Sequence, residues 1–415
     1  MGILFEDANK IIKTAIEENL PQAAVENALK EHEFTGNIYL LAIGKAAWKM
    51  AKAAGDHLGG RIKKGIVITK YDHSEGEIQG MEIIEAGHPL SDENTIAGTQ
   101  KAIELAESLT EQDELLFLIS GGGSALFEKP SEGISLEDIV NINNQLLSSG
   151  ADIVEINMIR KRLSSVKAGR FAELCKPAQL FTIVLSDVLG DRLDSIASGP
   201  AAPDMSTTED AIEVVNKYKL QISDTAEKYL QKETPKETTN TKTVVTGSVR
   251  TLCDSAAKAA EELGYKPLIL TSTMNCEAAE AGKIMASMAH EIAASRFSLQ
   301  RPCAVIMGGE TVVHLTGDGL GGRNQELALT AALHIQGLDD VLIFSLGSDG
   351  TDGPTDAAGG IVDGSTVQKL ADKGISIKKI LANNDSYNGL KAADGLIMTG
   401  PTGTNVNDIS VLLCK

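Results

Sequence analysis

Apolar and polar positions follow one another along the chain in blocks that predict a repeated order of strand, glycine turn and helix. Continuous apolar runs at Asn37–Ile43, Glu114–Ile119 and Gln179–Leu185 predict buried strands. Amphipathic blocks with helical spacing separate them, and a first such block runs from Phe5 to Ala15. Because strands that alternate with helices usually pair in parallel, the pattern predicts an α/β fold with ligands at the carboxyl ends of the strands.

Two longer amphipathic stretches predict single helices over Asp152–Cys175 and Thr208–Leu230. The polar face of the first is expected to carry four basic residues: Arg160, Lys161, Lys167 and Arg170. In the second half, the β-branched run Thr311–Leu315 predicts a short strand, and a helix is expected to begin at Arg323.

The polar segment Lys232–Lys242 contains proline and lacks periodicity, which is typical of a linker or an exposed loop. A length of 415 residues favours two or three domains. We therefore predict an N-terminal Rossmann-like α/β domain of residues 1–235 with a mostly parallel sheet. A second α/β domain is predicted over residues 240–415.

Charge and composition narrow the classes of partner. The net charge of −19 argues against binding to nucleic acid or to anionic membranes. No apolar run reaches the roughly 18–20 residues of a membrane span, and no secretory signal is visible. The five cysteines are scattered without a C-x-x-C pair, which favours free thiols in the cytoplasm over disulfides or a structural metal site.

Gly317, Gly319 and Gly322 satisfy the G-x-G-x-x-G pattern directly before the helix that begins at Arg323. With Gly321 they could expose backbone N–H groups to a phosphate, and Arg323 could reach the same anion. The alternative is a tight turn without a ligand.

Gly121, Gly122, Gly123 and Ser124 lie between a predicted strand and a helix. Three consecutive glycines are costly in backbone entropy, and close strand–helix packing usually needs only one, so we favour an anion-binding turn. Lys45 begins another helix, where its charge opposes the helix dipole. It is either a functional cation or a solvated lysine that covers apolar surface.

Carboxylates follow two predicted strands, and they could bind a nucleotide-bound Mg²⁺ or accept a hydroxyl proton. The candidates are Asp187, Asp191 and Asp194 after one strand and Asp349, Asp352 and Asp356 after the other. Aspartate is also a common turn and N-cap residue, so some of them are expected to be structural.

Two further residues and one loop could each be either functional or structural. His88, before a proline, is a loop hydrogen-bonding residue or a catalyst. Glu310 is a metal ligand or a turn residue. The polar loop Gly400–Asn407, with Asn405, lines a ligand pocket or simply turns.

Two helices that begin with a cation, two glycine turns and two aspartate loops together predict phosphoryl transfer. The cations and Mg²⁺ would neutralise charge on the moving phosphoryl group while an aspartate orients the acceptor hydroxyl. These residues indicate a type of reaction and leave the substrate open.

Motifs along almost the whole chain resemble the glycerate 2-kinase family, whose C-terminal part is the MOFRL domain. The matching stretches are Gly44–Ala47, Ala86–Pro89, Leu118–Leu126, Ile159–Arg170, Ser186–Asp191, Ile196–Pro200, Gly308–Thr311, Gly317–Glu326, Ser348–Gly360 and Gly400–Asp408. Two departures are Leu189, where the family often has proline, and Arg192, where it often has aspartate. The second departure puts a metal role for the end of that loop in doubt.

The resemblance implies two α/β domains with the active site in the cleft between them. It implies a kinase that transfers the γ-phosphate of ATP to the 2-hydroxyl of D-glycerate with Mg²⁺, giving 2-phosphoglycerate and ADP. Lys45 and Arg323 would be catalytic, and Asp187 would orient the glycerate hydroxyl. The expected nucleotide contacts are Gly121, Gly122, Gly123, Ser124, Gly319, Gly321, Gly322 and Asn405, and the expected metal ligands are Asp187, Asp191 and Asp349.

Two other functions stay open beside this cytoplasmic kinase, which is expected to be a monomer or homodimer. One is an NAD(P)H-dependent hydroxypyruvate reductase that binds a dinucleotide at Gly317–Gly322, with Asp339 or Asp340 near the distance expected for the ribose contact. The other is a non-catalytic nucleotide-binding sensor.

Overall fold

A computed structural model describes residues 2–415. The backbone forms two compact units. The first unit is Ala24–Thr246, and the second unit joins residues 2–23 to Gly247–Lys415.

Both units combine strands and helices. The strands are β1 (Asn37–Ile43), β2 (Ile62–Lys70), β3 (Met81–Ala86), β4 (Asp113–Ile119), β5 (Gln179–Leu185), β6 (Thr241–Gly247), β7 (Lys266–Met274), β8 (Cys303–Gly309), β9 (Val341–Gly347), β10 (Gly359–Asp363), β11 (Leu396–Ile397) and β12 (Asp408–Cys414). The helices are α1 (Ile3–Glu18), α2 (Pro21–Lys30), α3 (Ala47–Leu58), α4 (Glu93–Glu107), α5 (Gly123–Leu126), α6 (Leu136–Ser148), α7 (Ile153–Leu163), α8 (Arg170–Leu174), α9 (Thr208–Tyr218), α10 (Asp224–Leu230), α11 (Val249–Glu262), α12 (Ala278–Ala293), α13 (Arg323–His334), α14 (Thr366–Asp372), α15 (Ile377–Ala382) and α16 (Ser386–Ala392). Within residues 2–415, no helix combines the length and apolar character needed to cross a membrane.

The first unit contains a six-stranded sheet in the order β3-β2-β1-β4-β5-β6. The pairings β3–β2, β2–β1, β1–β4 and β4–β5 are parallel, which confirms the expected Rossmann-like arrangement. Strand β4 is buried along its whole length. In such sheets the strand order reverses between β1 and β4, and ligands bind outside the carboxyl ends of the strands at that point. Lys45 and the glycine turn 121–123 follow these two strands.

The second unit contains a mixed six-stranded sheet in the order β11-β10-β9-β12-β8-β7. Strand β12 runs antiparallel to both neighbours, so its first residue, Asp408, lies opposite Gly309 of β8 and Gly347 of β9. The start of β12 therefore meets the segments that follow β8 and β9. Helices α12 and α13 contribute Ala and Leu side chains to the buried core beside this sheet.

The observed division of the chain differs from the predicted boundary at residues 235–240. Strand β6 falls within the range predicted for the C-terminal domain, yet it pairs beside β5 in the first sheet. The segment before it is tied to the first unit, because the Asn240 amide donates to the carbonyls of Ala172 and Ala178, both at 3.0 Å. The division therefore falls at Gly247.

The N-terminal helix α1 also belongs with later residues. Its apolar face is buried in the second unit, and Asn19 just beyond it exchanges hydrogen bonds with Ser255 and Thr251 of α11. Tyr265 donates to Asp7 at 2.7 Å. An amphipathic pattern predicts such a helix but not the partner it packs against.

Both predicted long helices are broken. The stretch Asp152–Cys175 forms α7 and α8, and between them Ala168 and Gly169 have φ values of 56° and 77°. Left-handed residues cannot continue a right-handed helix. Lys219, with φ of 51°, interrupts the second stretch between α9 and α10 in the same way.

The predicted strand Thr311–Leu315 does not form. Val312 makes an isolated bridge to Glu277, and the rest of the segment is a loop. β-Branched residues favour strands only where a neighbouring strand can accept their backbone hydrogen bonds. Here the pairing is limited to two bonds, from Val312 N to Cys276 O and from Ala278 N to Val312 O.

Candidate active site

The carboxyl ends of β1 and β4 carry a tightly connected pair of turns in the first unit. Lys45 N donates to Gly121 O at 2.9 Å, and Ala46 N donates to the Ser120 hydroxyl at 3.0 Å. These bonds fix the backbone of Lys45 against the glycine turn. Within residues 2–415, the N–H groups of Gly121 and Gly122 make no hydrogen bond, so this turn offers two backbone donors to an anion.

Side chains crowd the two glycines so closely that larger residues would collide with them. A Cβ atom built on Gly121 would lie 2.2 Å from Asp187 Oδ2. One built on Gly122, whose φ is +84°, would lie 3.0 Å from the His88 ring and 3.1 Å from Lys45 Cγ. The structure therefore brings Lys45, Asp187 and His88 around one anion-binding turn.

Asp187 and Asp191 lie in the loop after β5, and both are half-buried. Asp191 has φ of 50° and donates its N–H to Val188 O at 3.1 Å, so its backbone closes a turn. Asp194 instead pairs with Lys161 at 3.2 Å and with Arg192 at 3.0 Å, which fits the structural interpretation of that residue. Metal binding by Asp187 and Asp191 stays a prediction.

A buried cation, Lys167, holds helix α5, which directly follows the anion-binding turn. Lys167 Nζ donates to Ser124 O at 2.7 Å and Phe127 O at 2.9 Å, and it lies 3.2 Å from the Glu128 carboxylate. Arg160 reaches the same Ser124 carbonyl at 3.4 Å. Burial lowers the pKa of Lys167 to about 8. Sequence reasoning placed both cations on a solvated helix face, because periodicity does not reveal partners distant in sequence.

Replacing Lys167 with methionine is expected to lower the stability of the first unit by roughly 3–5 kcal/mol, because Glu128 would stay buried without its cation. Thermal unfolding of the full chain measures the loss. Lys176→Met is the matched control, since its pair with Glu173 is about 40% exposed and worth little. A similar melting temperature for both variants would contradict the anchoring role.

The second unit has a cavity of about 660 Å³ at the ends of β8 and β9 and the start of α13. It collects the other predicted site residues: Gly319, Gly321, Gly322, Arg323, Asp349 and Asn405. Val312, Val313 and Leu315 give it one apolar wall, while five carboxylates and one arginine line the remainder. Apart from Arg323, the cavity therefore offers little positive charge to a phosphate.

Arg323 is held in a fixed position by two carboxylates. Its Nε and Nη2 donate to Asp408 at 2.6 and 3.1 Å, and its Nη1 donates to Glu310 at 2.8 Å. The other two of the five guanidinium N–H groups make no hydrogen bond within residues 2–415. Burial alone would lower the pKa of Arg323, but its bonds to Asp408 and Glu310 raise it. Burial raises the pKa of Asp408 to about 6.

Asp352, one of the aspartates after β9, has a structural role as a helix cap. It is buried and accepts hydrogen bonds from Asn324 N at 3.2 Å and Gln325 N at 2.8 Å, so it caps α13. Burial raises its pKa to about 6. Asp349 is half-buried beside the cavity and accepts a bond from Thr351 N at 3.0 Å. The sequence does not distinguish these two aspartates.

The backbone N–H groups of the glycine-rich segment before α13 donate hydrogen bonds to the loop of residues 383–385. Gly317 N donates to the Asn384 side chain at 3.0 Å, and Gly319 N donates to Asn383 O at 2.9 Å. Leu320 N donates to Asp385 at 3.0 Å. Gly319 therefore lines the cavity without an N–H available to a phosphate, whereas Gly321 and Gly322 stay predicted contacts.

Known proteins match the chain over nearly its full length. The family described as "Domain of unknown function (DUF4147)" matches residues 7–231, and the MOFRL family matches residues 303–408. A protein of Thermotoga maritima named D-glycerate 2-kinase is 53% identical over 97% of each chain. The crystal structure of a glycerate kinase from Thermotoga maritima has a TM-score of 0.96, with 52% identity and 99% coverage of both chains.

A relative from Agrobacterium vitis, which carries the provisional name hydroxypyruvate reductase, is 36% identical over 97% of this chain and 93% of its own length. The more similar relatives carry the kinase name. The chain therefore belongs to the glycerate 2-kinase family, with a DUF4147 region in its N-terminal half and a MOFRL region towards its C-terminus.

Proposed function

We propose that this protein is a glycerate 2-kinase, which transfers the γ-phosphate of ATP to the 2-hydroxyl of D-glycerate and releases 2-phosphoglycerate and ADP. The observation that carries this proposal is the convergence of Lys45, Asp187 and two free backbone N–H groups on one turn. Such a turn binds phosphate oxygens, and the adjacent cation stabilises the charge of the transferring group.

Each residue has a role in the proposed reaction. The N–H groups of Gly121 and Gly122 hold phosphate oxygens, with Gly123 and Ser124 completing the turn. Lys45 neutralises charge that develops on the phosphoryl group, and Asp187 orients the glycerate hydroxyl. Arg323 would act as a second cation. Gly321, Gly322 and Asn405 would contact the nucleotide from the cavity of the second unit.

Each unit would offer Mg²⁺ only one or two carboxylate ligands. Within residues 2–415, no group of three or more histidine, cysteine or acidic side chains is arranged to hold a metal ion. Mg²⁺ usually binds one or two carboxylates together with phosphates and waters, so Asp187 with Asp191, or Asp349, would be sufficient ligands. When bound, Mg²⁺ would neutralise charge on the nucleotide phosphates.

The reductase has less support from the geometry. A dinucleotide site needs a glycine turn directly after a strand, with N–H groups open to the pyrophosphate. No strand forms over 311–315, and the N–H groups of Gly317 and Gly319 are already bonded.

We also propose a cytoplasmic location, because the five cysteines are free thiols.

The products formed from D-glycerate, ATP and Mg²⁺ test the function directly. NMR of the reaction mixture is expected to show 2-phosphoglycerate and ADP. Hydroxypyruvate with NADH and no ATP serves as the control, and no NADH oxidation is expected. Formation of 3-phosphoglycerate would contradict the assigned hydroxyl. Nucleotide binding without any product would favour the sensor.

A further inference from the structure

His88 lies at the anion-binding turn, although its place before a proline also suits an ordinary loop residue. It follows the carboxyl end of β3, on the same edge of the sheet as Lys45 and Gly121. A Cβ atom on Gly122 would lie 3.0 Å from both Cδ2 and Nε2 of the ring. The edge of the imidazole that carries Nε2 therefore contacts the turn proposed to hold the phosphate.

The half-buried ring of His88 makes no hydrogen bond within residues 2–415. The two other half-buried histidines are bonded: His32 Nε2 contacts the Glu114 carboxylate, and His73 Nδ1 contacts Lys45 O at 3.0 Å. Partly burying a polar ring without a partner is unfavourable, and a bound ligand would remove that cost. The position of Nε2 makes a substrate group at the turn the natural partner.

The charges around His88 favour its neutral form. Burial lowers the pKa of the ring, and Lys45, Lys70 and His73 lower it further. The nearby carboxylate of Asp92, at the start of α4, accepts hydrogen bonds from Tyr71 and Thr95 instead. The carboxylate of Asp187 lies against Gly121, the residue before the one that the His88 ring contacts. At neutral pH the ring therefore has a lone pair that can accept a proton.

We propose that His88 is a catalytic residue that accepts the proton of the substrate hydroxyl through Nε2, an inference that rests on the proposed kinase function. As the hydroxyl oxygen forms its bond to the γ-phosphorus, its proton passes to Nε2. The bond from phosphorus to the ADP oxygen breaks, and its electron pair stays on ADP. The imidazolium then releases the proton to water.

Anionic substrates make His88 a better proton acceptor. A bound carboxylate and phosphates would offset the charges of Lys45 and Lys70, which raises the proton affinity of the ring when substrates are present. A carboxylate has an ordinary pKa of about 4 and an imidazole one of about 6.5, so the histidine is better matched to proton transfer at neutral pH. Asp187 keeps its separate role of orienting the hydroxyl.

The test compares His88→Gln with the wild-type protein and with His57→Gln, a control at an exposed position on α3. Glutamine keeps a polar group near the place of Nε2 but cannot accept the proton. kcat and KM for D-glycerate and ATP are measured from pH 5.5 to 9. We expect His88→Gln to lower kcat about 10²-fold with KM changed less than threefold.

The pH profile supplies a readout that a structural role would not change. Wild-type kcat is expected to fall as the pH drops below the pKa of His88, because the protonated ring accepts no proton. This acidic limb should be absent in His88→Gln and present in His57→Gln. For His88→Ala, added imidazole is expected to restore part of kcat.

Specific results would overturn the inference. A His88→Gln variant that keeps kcat within threefold, keeps the acidic limb, or changes only KM would exclude proton transfer by His88. If His88→Gln fails to fold, a wild-type profile without an acidic limb would exclude it as well. A wild-type protein that forms no 2-phosphoglycerate would overturn the proposed function itself, and the role of His88 with it.

Discussion

Replacing Lys45 with methionine is expected to lower kcat about 10³-fold, equivalent to ~4 kcal/mol of transition-state stabilisation, with little change in thermal unfolding. Methionine keeps the apolar stem that contacts Gly122 and removes the charge. Within residues 2–415 Lys45 forms no salt bridge, so its loss leaves no buried carboxylate unpaired. Steady-state kinetics and calorimetry measure the two effects separately.

Lys49→Met is the control for this variant. Lys49 lies one helical turn further along, and its salt bridge to Glu75 at 3.6 Å is exposed. Its kcat and melting temperature are expected to match the wild-type values. A Lys45→Met variant that keeps turnover within tenfold of the wild type would show that Lys45 is only a solvated lysine.

Replacing Arg323 with methionine is expected to lower kcat by a similar factor and also to destabilise the second unit. Asp408 is 4% exposed and would be left without its cation. Losing a partner costs roughly 3–5 kcal/mol in a fully buried pair, and we expect about 2 kcal/mol here because Arg323 is one-third exposed. We therefore expect the fold to tolerate the loss of Lys45 and to be destabilised by the loss of Arg323.

A second substitution separates the two effects of losing Arg323. The double variant Arg323→Met, Asp408→Asn removes the unpaired charge and is expected to recover most of the melting temperature while kcat stays low. Asp408→Asn alone reports what the carboxylate contributes. Recovery of both stability and kcat in the double variant would mean that Arg323 serves only as a structural partner of Asp408.

The first sheet could be predicted from the sequence because its central strands are buried on both faces. Strands of this kind appear as continuous apolar runs, and the bounds predicted for β1 and β5 agree with the structure. The turns follow these strands directly, so Lys45, Gly121 and Asp187 could be placed on one edge of the sheet. Strand order and the contact of His88 with Gly122 depend on distant pairings that no local pattern reveals.

Residues held by distant partners account for most of what the sequence missed. Lys167 resembles a surface lysine until the carbonyls of Ser124 and Phe127 surround it. Asp349 and Asp352 have the same local sequence setting, yet only Asp352 caps α13. The segment Thr311–Leu315 has strand propensity but lacks a neighbouring strand. In each case a tertiary contact decides the outcome, and local periodicity does not contain it.

The first unit is continuous in sequence, whereas the second unit needs residues 2–23 as well as residues after Gly247. Helix α1 therefore leaves the ribosome well before α11, which starts about 230 residues later. At roughly 5–20 residues per second, the apolar face of α1 waits on the order of 10–50 s for its partner. The first unit can complete its sheet during that interval. Synthesis thus imposes an order on folding. Until α11 has been made, the apolar face of α1 is protected from water only by a chaperone, or its exposure is kept short by fast synthesis.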